Sequence, residues 1–143
     1  MKKVILNKCY GGFDVSPKGY QLYAKKKGIA LFAYKAKDFN SLTGKIVYEF
    51  AGNLEEDSSM GLTYTTKDYG KGKYIELPDN AELLYLDSEY RTDKDLIEVV
   101  EELGVEASGR FGNLKVVEIP DDLDYVIDEY DGIETLHARV QEW

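Results

Sequence analysis

The sequence predicts an α+β fold, in which two helices pack against one main, mostly antiparallel β-sheet. Apolar residues recur at helical spacing over 92–103, and a Ser-Pro pair opens a second helix over 16–27. An Asp-Gly pair near the C-terminus joins two β segments into a hairpin. A chain of 143 residues can bury a core, so we expect a single domain spanning 1–143.

The helix over 92–103 shows the clearest pattern in the chain. Thr92 can serve as its N-cap, since a hydroxyl can accept a hydrogen bond from the orphan amides of the first turn. Leu96 and Val100 lie on one apolar face. Gly104 follows the last periodic residue and predicts the helix end, because glycine accepts the left-handed conformation needed there.

The other helix begins at Ser16 and Pro17, since proline at the first helical position lacks only an amide that would be unpaired anyway. Three lysines precede Gly28 and suit the negative end of the helix dipole. The segment 35–44 is predicted to be a polar connection, and 74–77 with 81–86 a further hairpin. The other predicted strands are 3–8, 29–34, 45–50, 62–66, 115–119, 125–130 and 133–139.

Composition excludes several classes of function. The formal charge of −9 argues against a protein that wraps DNA, because phosphate contacts dominate such binding. No apolar run is long enough to span a membrane, and the N-terminus does not have the pattern of a signal peptide. Cys9 stands alone, which suits a reducing cytoplasm.

We predict no catalytic residue, no metal site and no cofactor. His137 and Cys9 are too few to build a zinc site. His137 falls in a strand, where a surface or half-buried histidine is the simpler interpretation, and Cys9 is more readily a packed side chain.

Two segments are candidates for ligand binding. Gly11 and Gly12 stand between a strand and a helix start, where backbone amides can face an anion, although a tight turn is the simpler interpretation. The loop 107–113 and the cation before the helix over 92–103 form the second candidate. Its residues offer a cation for phosphate, polar groups for ribose and an aromatic ring for a base. The alternative interpretation is a glycine-rich loop that binds no ligand. The residues of this candidate are Arg91, Ser108, Arg110, Phe111 and Asn113.

Three segments carry a resemblance to a known family. KCYGGFDVS, RTDKDLIEVVEELG and LKVVEIPDD…IDEYDGIETLH together resemble small phage proteins that include the Thoeris anti-defence family, whose members sequester cyclic ADP-ribose signals. Residues 35–85 carry little of the resemblance.

The resemblance implies a non-enzymatic protein that binds a cyclic ADP-ribose isomer in the cytoplasm of the infected bacterium. It also implies a homo-dimer or hexamer with pockets between subunits, and a separate site for cyclic oligonucleotides in some members. Two alternatives stay open. One is an enzyme that cleaves a cyclic nucleotide, with His137 or a carboxylate as base. The other is an acidic protein-protein interaction module that inhibits a host factor.

Overall fold

The computed structural model describes residues 1–51, 62–110 and 112–139, and it confirms the α+β class. These residues form two α-helices and three separate antiparallel sheets, so the expectation of one main sheet is wrong. The elements are β1 (Lys2–Asn7), α1 (Pro17–Lys27), β2 (Phe32–Asn40), β3 (Lys45–Phe50), β4 (Thr63–Thr65), α2 (Lys94–Leu103), β5 (Leu114–Ile119), β6 (Tyr125–Tyr130) and β7 (Ile133–Ala138). Short 3-10 turns cover Ser88–Tyr90 and Gly104–Ala107.

The chain divides into two compact units. The first unit combines Met1–Tyr23 with Leu86–Trp143, and the second unit is Ala24–Tyr85. The boundary falls inside α1, after Tyr23. The single domain spanning 1–143 stays a prediction.

The core of the first unit is built on the β1–β5 pair, in which Lys2 lies opposite Ile119 and Asn7 opposite Leu114. Its apolar cluster is formed by Val4, Leu6 and Ile119, and side chains of β6 and β7 pack against it. Because strand side chains alternate, Ile5 points to the opposite face, and α2 contacts both β1 and β5. Burying such a side chain is worth about 1.5–3 kcal/mol, so the cluster fixes the β6–β7 hairpin onto this sheet.

The start of α2 differs by one residue from the sequence prediction. Asp93, not Thr92, is the N-cap, and its carboxylate accepts from the amides of Asp95 at 2.9 Å and Leu96 at 3.0 Å. A carboxylate accepts both bonds and complements the positive end of the helix dipole. The predicted end is confirmed, since Gly104 takes a φ of 58°.

The predicted C-terminal hairpin is confirmed. Asp131 and Gly132 have φ values of 49° and 92°, the positive angles that a tight two-residue turn requires. Tyr130 therefore lies opposite Ile133. The next pair along the hairpin is Glu129 opposite Glu134, so two acidic side chains are cross-strand neighbours.

The second unit contains the sheet β3–β2–β4, and two predictions fail in it. Strand β2 runs to Asn40, through most of the segment predicted as a polar connection, because pairing with β3 outweighs its polar composition. The predicted hairpin over 74–86 does not form; Ile75 and Leu83 instead make single bridges to Tyr48 and Thr65.

A buried tyrosine anchors the next loop to this sheet. The hydroxyl of Tyr34 donates to the carbonyl of Gly70 at 3.0 Å and accepts from the amide of Tyr69 at 2.9 Å. Burial raises the pKa of Tyr34, since the phenolate would lose hydration.

Candidate functional site

The turn of the β6–β7 hairpin lies directly against the loop that follows β1. The amide of Gly11 donates to the carbonyl of Asp131 at 3.0 Å. A Cβ on Gly132 would lie 2.5 Å from the backbone carbonyl carbon and oxygen of Gly11, so no larger residue fits there. Gly11 therefore lies at a close approach of two turns, and its own φ of 126° also favours glycine.

Beside this contact the first unit contains an open pocket of about 390 Å³. That volume lies in the range of small-molecule sites, although the pocket is at its low end. The pocket is lined by Gly12, Phe13, Ser88, Arg91, Ile127, Glu129, Gly132 and Glu134. Its walls therefore come from the loop after β1, the 3-10 turn before α2 and the C-terminal hairpin.

Arg91 is held in the wall of this pocket by two backbone acceptors. Its Nη1 donates to the carbonyl of Ile5 at 3.1 Å, and its Nε donates to the carbonyl of Ser88 at 3.1 Å. The guanidinium carbon lies 5.7 Å from the centre of the Phe13 ring. A planar five-donor head suits this role, because it can satisfy several acceptors at fixed angles.

Arg91 also pairs with a buried carboxylate. Its Nη2 lies 2.6 Å from Oε2 of Glu134, and its Nη1 lies 3.2 Å from Oε1. The two side chains are 15% and 8% exposed. Oε1 of Glu134 also accepts from the amide of Asn7 at 2.8 Å. The ion pair therefore links β1, the 3-10 turn and β7 at one point.

The second carboxylate of the pocket, that of Glu129, makes fewer hydrogen bonds than that of Glu134. Oε1 of Glu129 accepts from the amide of Gly132 at 2.9 Å. Within the described residues, Oε2 of Glu129, Oγ of Ser88 and the amide of Gly12 have no hydrogen-bond partner in the protein, and Glu129 and Ser88 are exposed to solvent. These three polar groups line the pocket together with the apolar side chains of Phe13 and Ile127.

The loop 107–113 proves to be braced against the rest of the first unit. Oγ of Ser108 accepts from the amide of Leu114 at 2.8 Å. The amide of Asn113 donates to Oδ1 of Asn7 at 2.8 Å, and its carbonyl accepts from Lys8. Hydrogen bonds of the Ser108 hydroxyl and the Asn113 backbone thus fix these two residues in place. Arg110 is exposed, and Phe111 lies outside the described residues.

The structure therefore brings together only part of the predicted site. Arg91 and Gly12 line the pocket and Gly11 lies beside it, whereas Ser108, Arg110 and Asn113 do not line it. Sequence reasoning missed the two glutamates and Phe13. A signal was available: in DEYDGIET the Asp-Gly turn fixes the register, and that register sets one glutamate opposite another.

A metal site and His137 are the remaining candidates for chemistry in the part of the chain that the structure describes. No three His, Cys, Asp or Glu side chains gather there in a way that could hold a metal ion. His137 lies 3.2 Å from Asp128, both are exposed, and neither lines the pocket. None of the helices there is both long and apolar enough to cross a membrane.

Comparison with known protein families, characterised proteins and solved structures gives no match for this chain.

Proposed function

We propose that this protein binds and sequesters a cyclic ADP-ribose immune signal without degrading it, as a phage anti-defence protein in the cytoplasm of the infected bacterium. The observation that supports this proposal is the pocket that combines Arg91 with the unpaired polar groups of Gly12, Ser88 and Glu129. A cyclic ADP-ribose presents hydroxyl groups and an adenine ring, and each can find a complementary group there.

The apolar part of the pocket suits the nucleoside portion of such a ligand. Phe13 offers a ring and Ile127 an aliphatic surface. Stacking of a base on an aromatic ring is worth about 1–3 kcal/mol. The polar groups can then fix the orientation of the bound molecule, as a few placed donors and acceptors do in most small-molecule sites.

The assembly belongs to the same proposal. We propose a homo-dimer or a hexamer, with cyclic oligonucleotides as a possible second class of ligand at a separate site. The resemblance of three sequence segments to the anti-defence family supports this part.

Recovery of the ligand tests the proposal directly. The protein is incubated with a cyclic ADP-ribose isomer, the free ligand is removed, and the complex is denatured by heat. We expect chromatography to recover the signal intact and in stoichiometric amount. Recovery of an opened or cleaved product would instead support the alternative of an enzyme that cleaves a cyclic nucleotide.

That alternative has one supporting observation, the unpaired Oε2 of Glu129 in the pocket. A carboxylate oxygen within reach of a ligand can act as a general base. Glu129→Gln would then abolish turnover in the same assay, whereas a sequestering protein yields no product with or without Glu129.

The two candidate sites can be told apart by matched variants. If the pocket holds the signal, Ser88→Ala and Glu129→Gln should weaken binding in calorimetry, while Arg110→Ala should bind as the wild type does. If the loop 107–113 holds it, Arg110→Ala should lose about 2 kcal/mol, since a charge-assisted bond to phosphate is worth about 1.5–3 kcal/mol. Far-UV circular dichroism should show that all three variants are folded.

A further inference from the structure

The C-terminal hairpin sets two like charges against each other at the pocket. Glu129 and Glu134 are cross-strand partners, one position outside the pair that flanks the turn. Like charges that are directly opposite destabilise a β-ladder. A protein that keeps such a pair needs positive charge or hydrogen-bond donors to offset it.

Among the residues that the structure describes, a cation offsets only one of the two carboxylates. Arg91 pairs with Glu134 through both of its η nitrogens, and its Nε and Nη1 also serve backbone carbonyls. These bonds engage four of the five guanidinium hydrogens. Glu129 receives a single amide bond, from Gly132. The described charged side chains that line the pocket therefore sum to one negative charge.

This balance decides which part of a nucleotide fits. A phosphate placed against the hairpin would face the Glu129 carboxylate, while the cation that could attract it is already neutralised by Glu134. A hydroxyl group would be attracted to the same place, because Oε2 of Glu129 is a strong acceptor with no protein donor. The Ser88 hydroxyl and the Gly12 amide can donate to the oxygen atoms of the same hydroxyls.

We propose that the pocket recognises the vicinal diol of a ribose, with Glu129 as the acceptor for its hydroxyl hydrogens, and that it keeps phosphate groups away from the hairpin wall. Phe13 and Ile127 then face the apolar side of the nucleoside. A carboxylate that holds ribose hydroxyls is a familiar solution in nucleotide-binding folds. This inference deepens the proposed function and rests on it for the biological use of the site.

Simple probes test the inference without the cyclic signal. Calorimetry compares adenosine, 2′,3′-dideoxyadenosine and inorganic pyrophosphate on the wild-type protein. We expect adenosine to bind at least tenfold more tightly than the dideoxynucleoside, and pyrophosphate not to displace it. Glu129→Gln should weaken adenosine binding about tenfold, because a neutral amide is a poorer acceptor than a carboxylate.

Asp128→Asn is the matched control, since Asp128 lies on the same hairpin but does not line the pocket. It should bind adenosine as the wild type does. Three results would overturn the inference: no binding of adenosine, equal binding of the dideoxynucleoside, or displacement of adenosine by pyrophosphate. Failure of the protein to retain a cyclic signal would count against the proposed function and leave this result unaffected.

Discussion

Arg91 and Glu134 stabilise the fold of the first unit as well as lining the pocket. Each is held at several points, and their ion pair lies at the junction of β1, the 3-10 turn and β7. Removing one partner of such a pair leaves the other charge poorly hydrated, which is far worse than losing an exposed pair.

Single substitutions should show that breaking the buried pair costs more stability than breaking an exposed pair. Glu134→Leu should lower the free energy of unfolding by about 3 kcal/mol, because it leaves the Arg91 cation unpaired. The double variant Arg91→Met with Glu134→Leu should lose clearly less than the two single variants added together. Urea denaturation followed by circular dichroism measures both effects.

Glu101→Gln provides the control for an exposed pair, since Glu101 meets Lys3 at 2.8 Å with both side chains well exposed. It should leave the unfolding midpoint almost unchanged. A loss as large as that of Glu134→Leu would contradict the distinction between the two pairs.

At the residue scale the sequence predicted the backbone conformation of individual glycines better than it predicted which side chains pair with each other. Gly104 and Gly132 have the positive φ values that their positions indicated. Glu134 could not be assigned to Arg91, because the two residues are 43 positions apart and their contact depends on the packing of the hairpin on β1. Long-range pairing of this kind leaves no local pattern in a single sequence.

The β6–β7 hairpin is the element on which the pocket depends most. Its turn has two constraints at Gly132, a φ of 92° and the backbone of Gly11 within 2.5 Å of any added Cβ. Gly44 has only the first constraint, since its φ is 73° and nothing lies within 4 Å of an added Cβ.

This difference gives a matched pair of substitutions. Gly44→Ala should cost about 1 kcal/mol, the usual penalty for a non-glycine residue in this backbone region. Gly132→Ala should cost clearly more and should also disturb the pocket, because the turn must move away from Gly11. Urea denaturation gives the stabilities, and adenosine calorimetry reports the pocket. Equal costs for the two variants would show that the close contact does not matter.

Among the elements, prediction succeeded where a local pattern was strong. The helices and the hairpin have caps, periodicity and turn residues within a few positions. Strand β2 was cut short in the prediction because Lys35, Lys37 and Asp38 suggest a loop, and only pairing with β3 makes them a strand. The division into three sheets likewise follows from tertiary contacts that no segment contains.

At the scale of the whole molecule, charge is unevenly divided along the chain. Residues 24–85 contain equal numbers of basic and acidic side chains, so the formal charge of −9 belongs to the remainder of the sequence. The pocket with its two glutamates is in that acidic remainder. An anionic ligand would therefore bind against the field of the first unit, and its affinity should rise with ionic strength.

We expect the protein to be at least a two-fold symmetric dimer. The described residues expose large apolar side chains, among them Phe39, Leu42 and Tyr74, and exposed apolar surface often marks an interface. Light scattering at micromolar concentration should give a mass of a dimer or higher multiple. A particle of 16.2 kDa would contradict this expectation.

The pairing of β1 with β5 has a consequence for synthesis on the ribosome. Strand β1, with its apolar run Val4–Leu6, is synthesised well before its partner β5. At ordinary elongation rates of about 5–20 residues per second, that strand waits on the order of ten seconds before Leu114–Ile119 is made. During this interval the apolar β1 segment has no strand partner and can bind chaperones or neighbouring nascent chains. Moving the N-terminal strand behind β5 by circular permutation should therefore raise the soluble yield.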